Sequence, residues 1–228
     1  IMREYHHIVD GQTVGLPLGK VVCVGRNYAA HVRELNNPVP TEPVLFIKPN
    51  TALVSLAQPI MIPIHLGVCH FETEMSLLIG ERLIDCTEKQ AESAILGVGI
   101  GLDLTLRDLQ TRLKDSSLPW EKAKAFDGSC PMSAFVSPDQ LGDLQCQQIQ
   151  LHQNQQLRQD GNSADMLTRV IPLLVYISQF FTLLLGDLVL TGTPDGVGPL
   201  AVGDELELCL SGVIHCKTEV FAKNKALL

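Results

Sequence analysis

His70-Phe71-Glu72-Thr73-Glu74-Met75-Ser76-Leu77-Leu78-Ile79-Gly80 is an apolar run that carries two carboxylates two residues apart and ends at a glycine. Its alternation predicts a strand. Side chains on a strand point alternately to its two faces, so Glu72 and Glu74 share a face with His70 and Ser76, about 7 Å apart along the backbone. Phe71, Thr73, Met75, Leu77 and Ile79 take the other face. Two like charges on one face repel unless positive charge lies between them. Hard divalent cations such as Mg²⁺ and Mn²⁺ prefer oxygen ligands, which makes the pair a candidate half-site for one. The competing reading is the solvated face of an edge strand.

A second alternating run, Gly97-Val98-Gly99-Ile100-Gly101-Leu102-Asp103, predicts another strand. Val98, Ile100 and Leu102 face a core, and the three glycines leave the opposite face bare up to Asp103. Such a lane admits another backbone or a ligand. The glycines lie within the strand and do not open a turn into a helix, so they are not a dinucleotide-binding fingerprint.

Around these strands, Ala29 to Leu35 predicts two helical turns stopped by Asn36-Asn37-Pro38, with His31 and Glu34 at i and i+3 on one face. A carboxylate beside an imidazole fixes its tautomer and raises its basicity, as a water-activating base requires; an exposed surface ion pair is the alternative. Residues 44–48 predict a strand whose last residue, Lys48, either faces a site or extends to water. Thr87 and Gln90 form a capping box opening a helix to about Leu96. Thr105 to about Lys114 reads as a helix carrying Arg107 and Gln110 at i and i+3, and residues 118–131 as a loop with two ambiguous lysines, Lys122 and Lys124. A hairpin over 149–158 turns at Asn154-Gln155. Pro172 suits the first position of a helix running to about Leu183. A strand over 188–190 leads into Thr191-Gly192-Thr193-Pro194-Asp195-Gly196, which is either an anion cradle of backbone N–H groups and hydroxyls or a plain structural turn.

The composition narrows the class. The 228 residues suit one large domain, and 46% hydrophobic against 18% charged residues describe a well-filled core. A net charge of −8 argues against a nucleic-acid partner. Seven cysteines without a C-x-x-C fit reduced thiols in a cytosolic protein. With no long apolar span and no signal-peptide pattern at the start, the expected location is the cytoplasm, with no membrane partner. Residues 1–18 read as a loosely attached N-terminal extension and 19–228 as a single domain.

Seven segments, in order, resemble one family. They are G-R-N-Y-x-x-H-x-x-E from Gly25 to Glu34, F-x-K-P at 46–49, E-x-E at 72–74, L-D-x-T-x-R-D-x-Q at 102–110, L-P-W-x-x-A-K at 118–124, S-C-P at 129–131 and T-G-T-P-x-G-V-G-P at 191–199. Together they resemble the fumarylacetoacetate hydrolase family, most closely its short, single-domain acylpyruvase and oxaloacetate decarboxylase branch. The resemblance implies an α+β fold, a mixed β-roll with a few peripheral helices, usually a homodimer. It implies Glu72, Glu74 and Asp103 as ligands of Mg²⁺ or Mn²⁺, His31 and Glu34 as the water-activating pair, and Lys124, not Lys122, as the catalytic lysine. Arg26, Tyr28, Lys48, Gln110 and Thr193 fall on or beside its substrate site. The activity it implies first is hydrolysis of the C3–C4 bond of acylpyruvates, 2,4-dioxo acids such as acetylpyruvate or fumarylpyruvate, to pyruvate and a carboxylic acid. The alternatives are oxaloacetate decarboxylation, oxaloacetate keto–enol tautomerisation or 2-hydroxy-dienoate isomerisation on the same metal-bound enolate; a non-catalytic protein that binds 2-oxo acids is the competing class.

Overall fold

A computed structural model describes residues 4–35 and 38–223. Its centre is a seven-stranded mixed sheet in the order Val44–Lys48, Val21–Gly25, Leu188–Leu190, Thr73–Ile79, Ile95–Leu102, Cys130–Met132, Leu53–Ser55. A five-stranded sheet, in the order Gln156–Asn162, Gln148–Gln153, Glu205–Leu210, Ile214–Ala222, Ile60–Ile62, packs against it. A small three-stranded sheet of Thr105–Leu106, Cys69–Phe71 and Gly198–Pro199 stands beside them. With a few short helices around the sheets, this is the expected α+β architecture.

Strand alternation gives the central sheet two apolar faces. Val22, Val24, Met75, Leu77, Val98, Ile100 and Leu102 join one large cluster with Ile149, Leu151, Leu206 and Leu208 of the five-stranded sheet and with Leu173, Leu174 and Ile177 of the helix Val170–Phe180. Val21, Cys23, Leu78, Leu188 and Leu190 join a second cluster with Leu53, Cys130, Met132 and Phe135. The glycine lane faces this second cluster. At Gly99 an added Cβ would lie 2.9 Å from the Phe135 ring and 3.0 Å from Ser133 Oγ, so the bare face seats a neighbouring segment and not a ligand.

Several local expectations hold with shifted ends. The Thr87 capping box forms in both directions, but its helix is Glu88–Ser93, because Ile95 already pairs with Ile79 in the central sheet. Thr105–Leu106 is pulled into the small sheet by Cys69 and His70, leaving the helix to run from Arg107 to Asp115. The loop over 118–131 contains a short helix, Glu121–Lys124, and the strand Cys130–Met132. Pro172 takes the third helical position, where its missing N–H is still no loss. The hairpin turns at Asn154-Gln155 with φ of 53° and 65°, the left-handed pair that matches strand twist. Asn36 and Asn37, the expected helix stop, lie outside the described residues.

Two expectations change. The N-terminal segment is not loose: Tyr5 belongs to the second cluster, and fully buried His7 places Nε2 3.0 Å from the Gly186 carbonyl. The strand read over 70–80 divides at Glu72 into Cys69–Phe71 and Thr73–Ile79. There the Thr73 N–H donates to Gln159 Oε1 (3.0 Å), while the Glu72 carbonyl accepts from the Asp103 N–H (2.8 Å).

Filling the lane should therefore cost stability and not binding. Gly99→Ala is expected to lower stability by about 1–3 kcal/mol, a fall in Tm of about 2–10 °C in thermal unfolding. Adding Phe135→Leu should recover part of the loss; an unchanged Tm in Gly99→Ala would show that the lane is open.

Candidate active site

The central register builds the site. Thr73 pairs with Leu102 and Glu74 with Gly101, so the break at Glu72 and the strand end before Asp103 fall side by side. Glu72, Glu74 and Asp103 are all buried and each offers one oxygen within 4.8 Å of the others. Opposite Glu74, Gly101 contributes no side chain; an added Cβ there would lie 2.3 Å from Met132 Sδ.

Three cations approach this cluster. Lys124, at the end of the helix Glu121–Lys124, donates to Glu72 Oε2 (2.9 Å) and Asp103 Oδ2 (2.6 Å). Arg107, first in its helix, donates to Glu72 Oε1 and to Gln110 Oε1, the latter at 2.8 Å. Lys48 Nζ lies 2.8 Å from Asp103 Oδ1. Burial works to raise the Glu72 pKa, but Lys124 and Arg107 outweigh it and hold the carboxyl well below its ordinary range. Burial would lower the Lys124 pKa, yet Asp103 and Glu72 prevail and push it up to about 12.

Glu74 differs. It forms no ion pair among the described residues, and Oε2 accepts from the Gly192 N–H at 2.7 Å. Burial, then repulsion from Asp103 and Glu72, raises its pKa well above the usual carboxylate value. The Tyr28 hydroxyl, whose pKa is raised by burial and then by Glu74, is buried with no hydrogen-bond partner among the described residues. These are the marks of a site fitted to a further positive charge. Three closely spaced acidic oxygens are the donor set a hard divalent ion takes. The Lys124 ammonium already engages two of the three carboxylates, Glu72 and Asp103.

His31 and Glu34 lie on the helix Ala29–Glu34, with His31 Nδ1 3.1 Å from Glu34 Oε2. With Glu34 as acceptor, Nδ1 carries the proton and Nε2 keeps a free lone pair. Glu34 Oε1 accepts from the Gly196 N–H at 3.0 Å. The loop after Leu190 is thus a cradle whose N–H groups hold the protein's own anions: Gly192 holds Glu74 and Gly196 holds Glu34.

A cleft opens onto this cluster, lined by Arg26, His31, Gln110, Lys114 and Trp120 together with Glu72, Arg107 and Lys124. Lys48 requires a correction: it does not line the cleft. It is fully buried beneath Asp103, donating to the Lys124 and Ser129 carbonyls and to Ser129 Oγ (3.1 Å), and so fixes the backbone that carries Lys124. Tyr28 and Thr193 are likewise buried and off the cleft wall; the Thr193 hydroxyl accepts from Gln159 Nε2 at 2.8 Å. Sequence reading did not single out Lys114, Trp120 or Gln159, and treated Arg107 only as a helix partner of Gln110. The signal for Lys114 was present: Arg107, Gln110 and Lys114 sit at i, i+3 and i+7, one face of a helix.

Known proteins resemble this chain over most of its length. Residues 20–221 match the model of the fumarylacetoacetate (FAA) hydrolase C-terminal family. The chain is 52% identical over 208 residues to oxaloacetate tautomerase YcgM of Escherichia coli (strain K12), covering 91% of this chain and 95% of that protein. It is 41% identical over 200 residues to the mitochondrial oxaloacetate tautomerase FAHD1 of Homo sapiens, covering 88% and 90%. The crystal structure of fumarylpyruvate hydrolase from Pseudomonas aeruginosa in complex with Mn²⁺ and pyruvate superposes with a TM-score of 0.90 at 34% identity, covering 96% of each chain.

If the three carboxylates share an ion, Mn²⁺ should raise the Tm of the protein, by about 2.7 kcal/mol of stability at a hundredfold excess over Kd. Glu74→Gln should fold and lose that rise. Thermal unfolding with and without Mn²⁺ measures both, and an equal rise in the variant would place the ion elsewhere.

Proposed function

The chain belongs to the fumarylacetoacetate hydrolase family, and from that premise we propose that it is an oxaloacetate tautomerase, interconverting the enol and keto forms of a four-carbon dicarboxylic 2-oxo acid. The observation that carries this reading is the charge of the cleft: Arg26, Arg107, Lys114 and Lys124 face it against one lining carboxylate, Glu72. A small, doubly negative acid neutralises such a wall. The relatives named as oxaloacetate tautomerases, from a bacterium and from man, support the same substrate.

Glu72, Glu74 and Asp103 would hold a divalent ion, Mn²⁺ or Mg²⁺, which supplies Lewis-acid stabilisation of the enolate when bound. The protein's own groups do the rest. Lys124, kept as an ammonium by Asp103 and Glu72, neutralises charge developing on the oxygen at C2. His31, held through Nδ1 by Glu34, presents Nε2 for the proton transfer at C3. From keto to enol the Nε2 lone pair takes the C3 proton while solvent protonates the oxygen at C2; in the reverse direction the protonated ring returns its proton to C3 and the enol hydroxyl loses its own to solvent, so the isomerisation balances with no net consumption of water. The cation-rich wall binds the substrate's carboxylates and orients the carbon chain.

Acylpyruvate hydrolysis, the activity the sequence resemblance implied first, stands second. It is supported by the His31–Glu34 pair, which suits activation of water, and by the likeness to the Pseudomonas fumarylpyruvate hydrolase. Its relatives are the more distant ones. A homodimer in the cytoplasm is the assembly and location proposed with either activity.

The deciding assay sets the purified protein with Mn²⁺ on enol-oxaloacetate, fumarylpyruvate and acetylpyruvate side by side. The expected result is a higher kcat/KM for oxaloacetate tautomerisation than for pyruvate release from either acylpyruvate; the reverse order would make the protein a hydrolase. EDTA should silence the activity and Mn²⁺ restore it. His31→Ala is expected to slow tautomerisation by about 10²- to 10⁴-fold, and a variant as fast as the parent would remove His31 from proton transfer.

A further inference from the structure

The helix Arg107–Asp115 presents three polar residues toward the cleft in sequence: Arg107, which reaches Glu72, then Gln110, then Lys114. At about 1.5 Å of rise per residue, Lys114 stands about 10 Å along the helix axis from Arg107. Its Nζ lies 5.1 Å from the centroid of the Trp120 ring, which holds the long side chain on the wall. Among the described residues Lys114 forms no ion pair, whereas Arg107 and Lys124 both engage the carboxylate cluster. Along this helix the wall, which also carries Arg26 and Lys124, therefore has two cationic stations, Arg107 committed to the triad and Lys114 apart from it.

We propose that Lys114 receives the substrate carboxylate remote from the triad, and so selects dicarboxylic 2-oxo acids over those whose far end is uncharged. This rests on the tautomerase reading for the reaction, but the selectivity belongs to the cleft itself. A substrate whose 2-oxo acid end sits at the triad turns its second carboxylate to the same cleft wall, where the long Lys114 side chain, near enough to feel the charges of Glu72, Arg107 and Lys124, brings its ammonium to meet it. Trp120 supports this contact by holding the lysine head group against the cleft wall. Burial, and then the positive charges of Arg26, Arg107 and Lys124, push the Lys114 pKa down to about 8, as befits a cation crowded by others and short of an anion.

The test compares oxaloacetate with its C4 methyl ester on the Mn²⁺-loaded enzyme. Lys114→Met should lower kcat/KM for oxaloacetate by about 10- to 100-fold, the loss of one charge-assisted hydrogen bond, mainly through KM, and lower it far less for the ester. Lys114→Arg should retain most of the preference. Equal losses on both substrates, or none on either, would overturn the proposal. A second arm is independent of turnover: calorimetric binding of 3,3-difluoro-oxaloacetate, which has no C3 proton to lose, and of pyruvate, which has no second carboxylate. Wild type should bind the first more tightly and Lys114→Met should lose that margin. If this holds while oxaloacetate is not tautomerised, Lys114 keeps its role and only the reaction is reassigned. If oxaloacetate is tautomerised and the margin survives in Lys114→Met, the role assigned to Lys114 is wrong.

Discussion

Three carboxylates withdrawn from water, with one oxygen of each inside a 4.8 Å spread, are the constraint around which this protein is arranged. Like charges so close are tolerated in a low-dielectric interior only where positive charge is interleaved with them. The fold supplies it unevenly. Glu72 is paired with Lys124 and Arg107, and Asp103 with Lys124 and Lys48, while Glu74 is held by one backbone N–H. That imbalance makes the cluster suited to a divalent ion, because one carboxylate has a site for positive charge and no side chain to fill it.

The surrounding structure serves to keep these groups in place. The strand break at Glu72 brings its carbonyl to the Asp103 N–H, and Gln159 closes the gap in the ladder at Thr73. Gly101, opposite Glu74, makes room for the Met132 side chain, and buried Lys48 ties Asp103 to the segment bearing Lys124. The loop after Leu190 lends two N–H groups, at Gly192 and Gly196, to Glu74 and Glu34. Rigid elements therefore fix both the carboxylates and the imidazole that faces the cleft.

The two chemistries open to such a site differ at one carbon of the substrate. Hydrolysis of an acylpyruvate and tautomerisation of oxaloacetate share an enolate, but they differ in what lies at C4: an electrophilic carbonyl in one, a carboxylate in the other. A cleft wall in which cations outnumber carboxylates suits a substrate with two negative charges.

Much of this was legible in the chain. Alternation marked the strands over 73–79 and 95–102, Thr87 and Gln90 announced a helix start, Asn154-Gln155 announced a hairpin, and seven short motifs in order pointed to the family now matched over residues 20–221. These signals are local, because dihedral preference, capping and side-chain periodicity are settled within a few residues. What the tertiary structure alone decided is which side chains meet. Glu72 and Asp103 are 31 positions apart and touch only because Thr73 is in register with Leu102. Lys48 lies under the cluster and Lys114 on its open side. The glycine lane, open on paper, is filled by Phe135 and Met132. Contact between distant residues depends on sheet register and on which face a partner segment covers, and no short stretch of sequence contains that information.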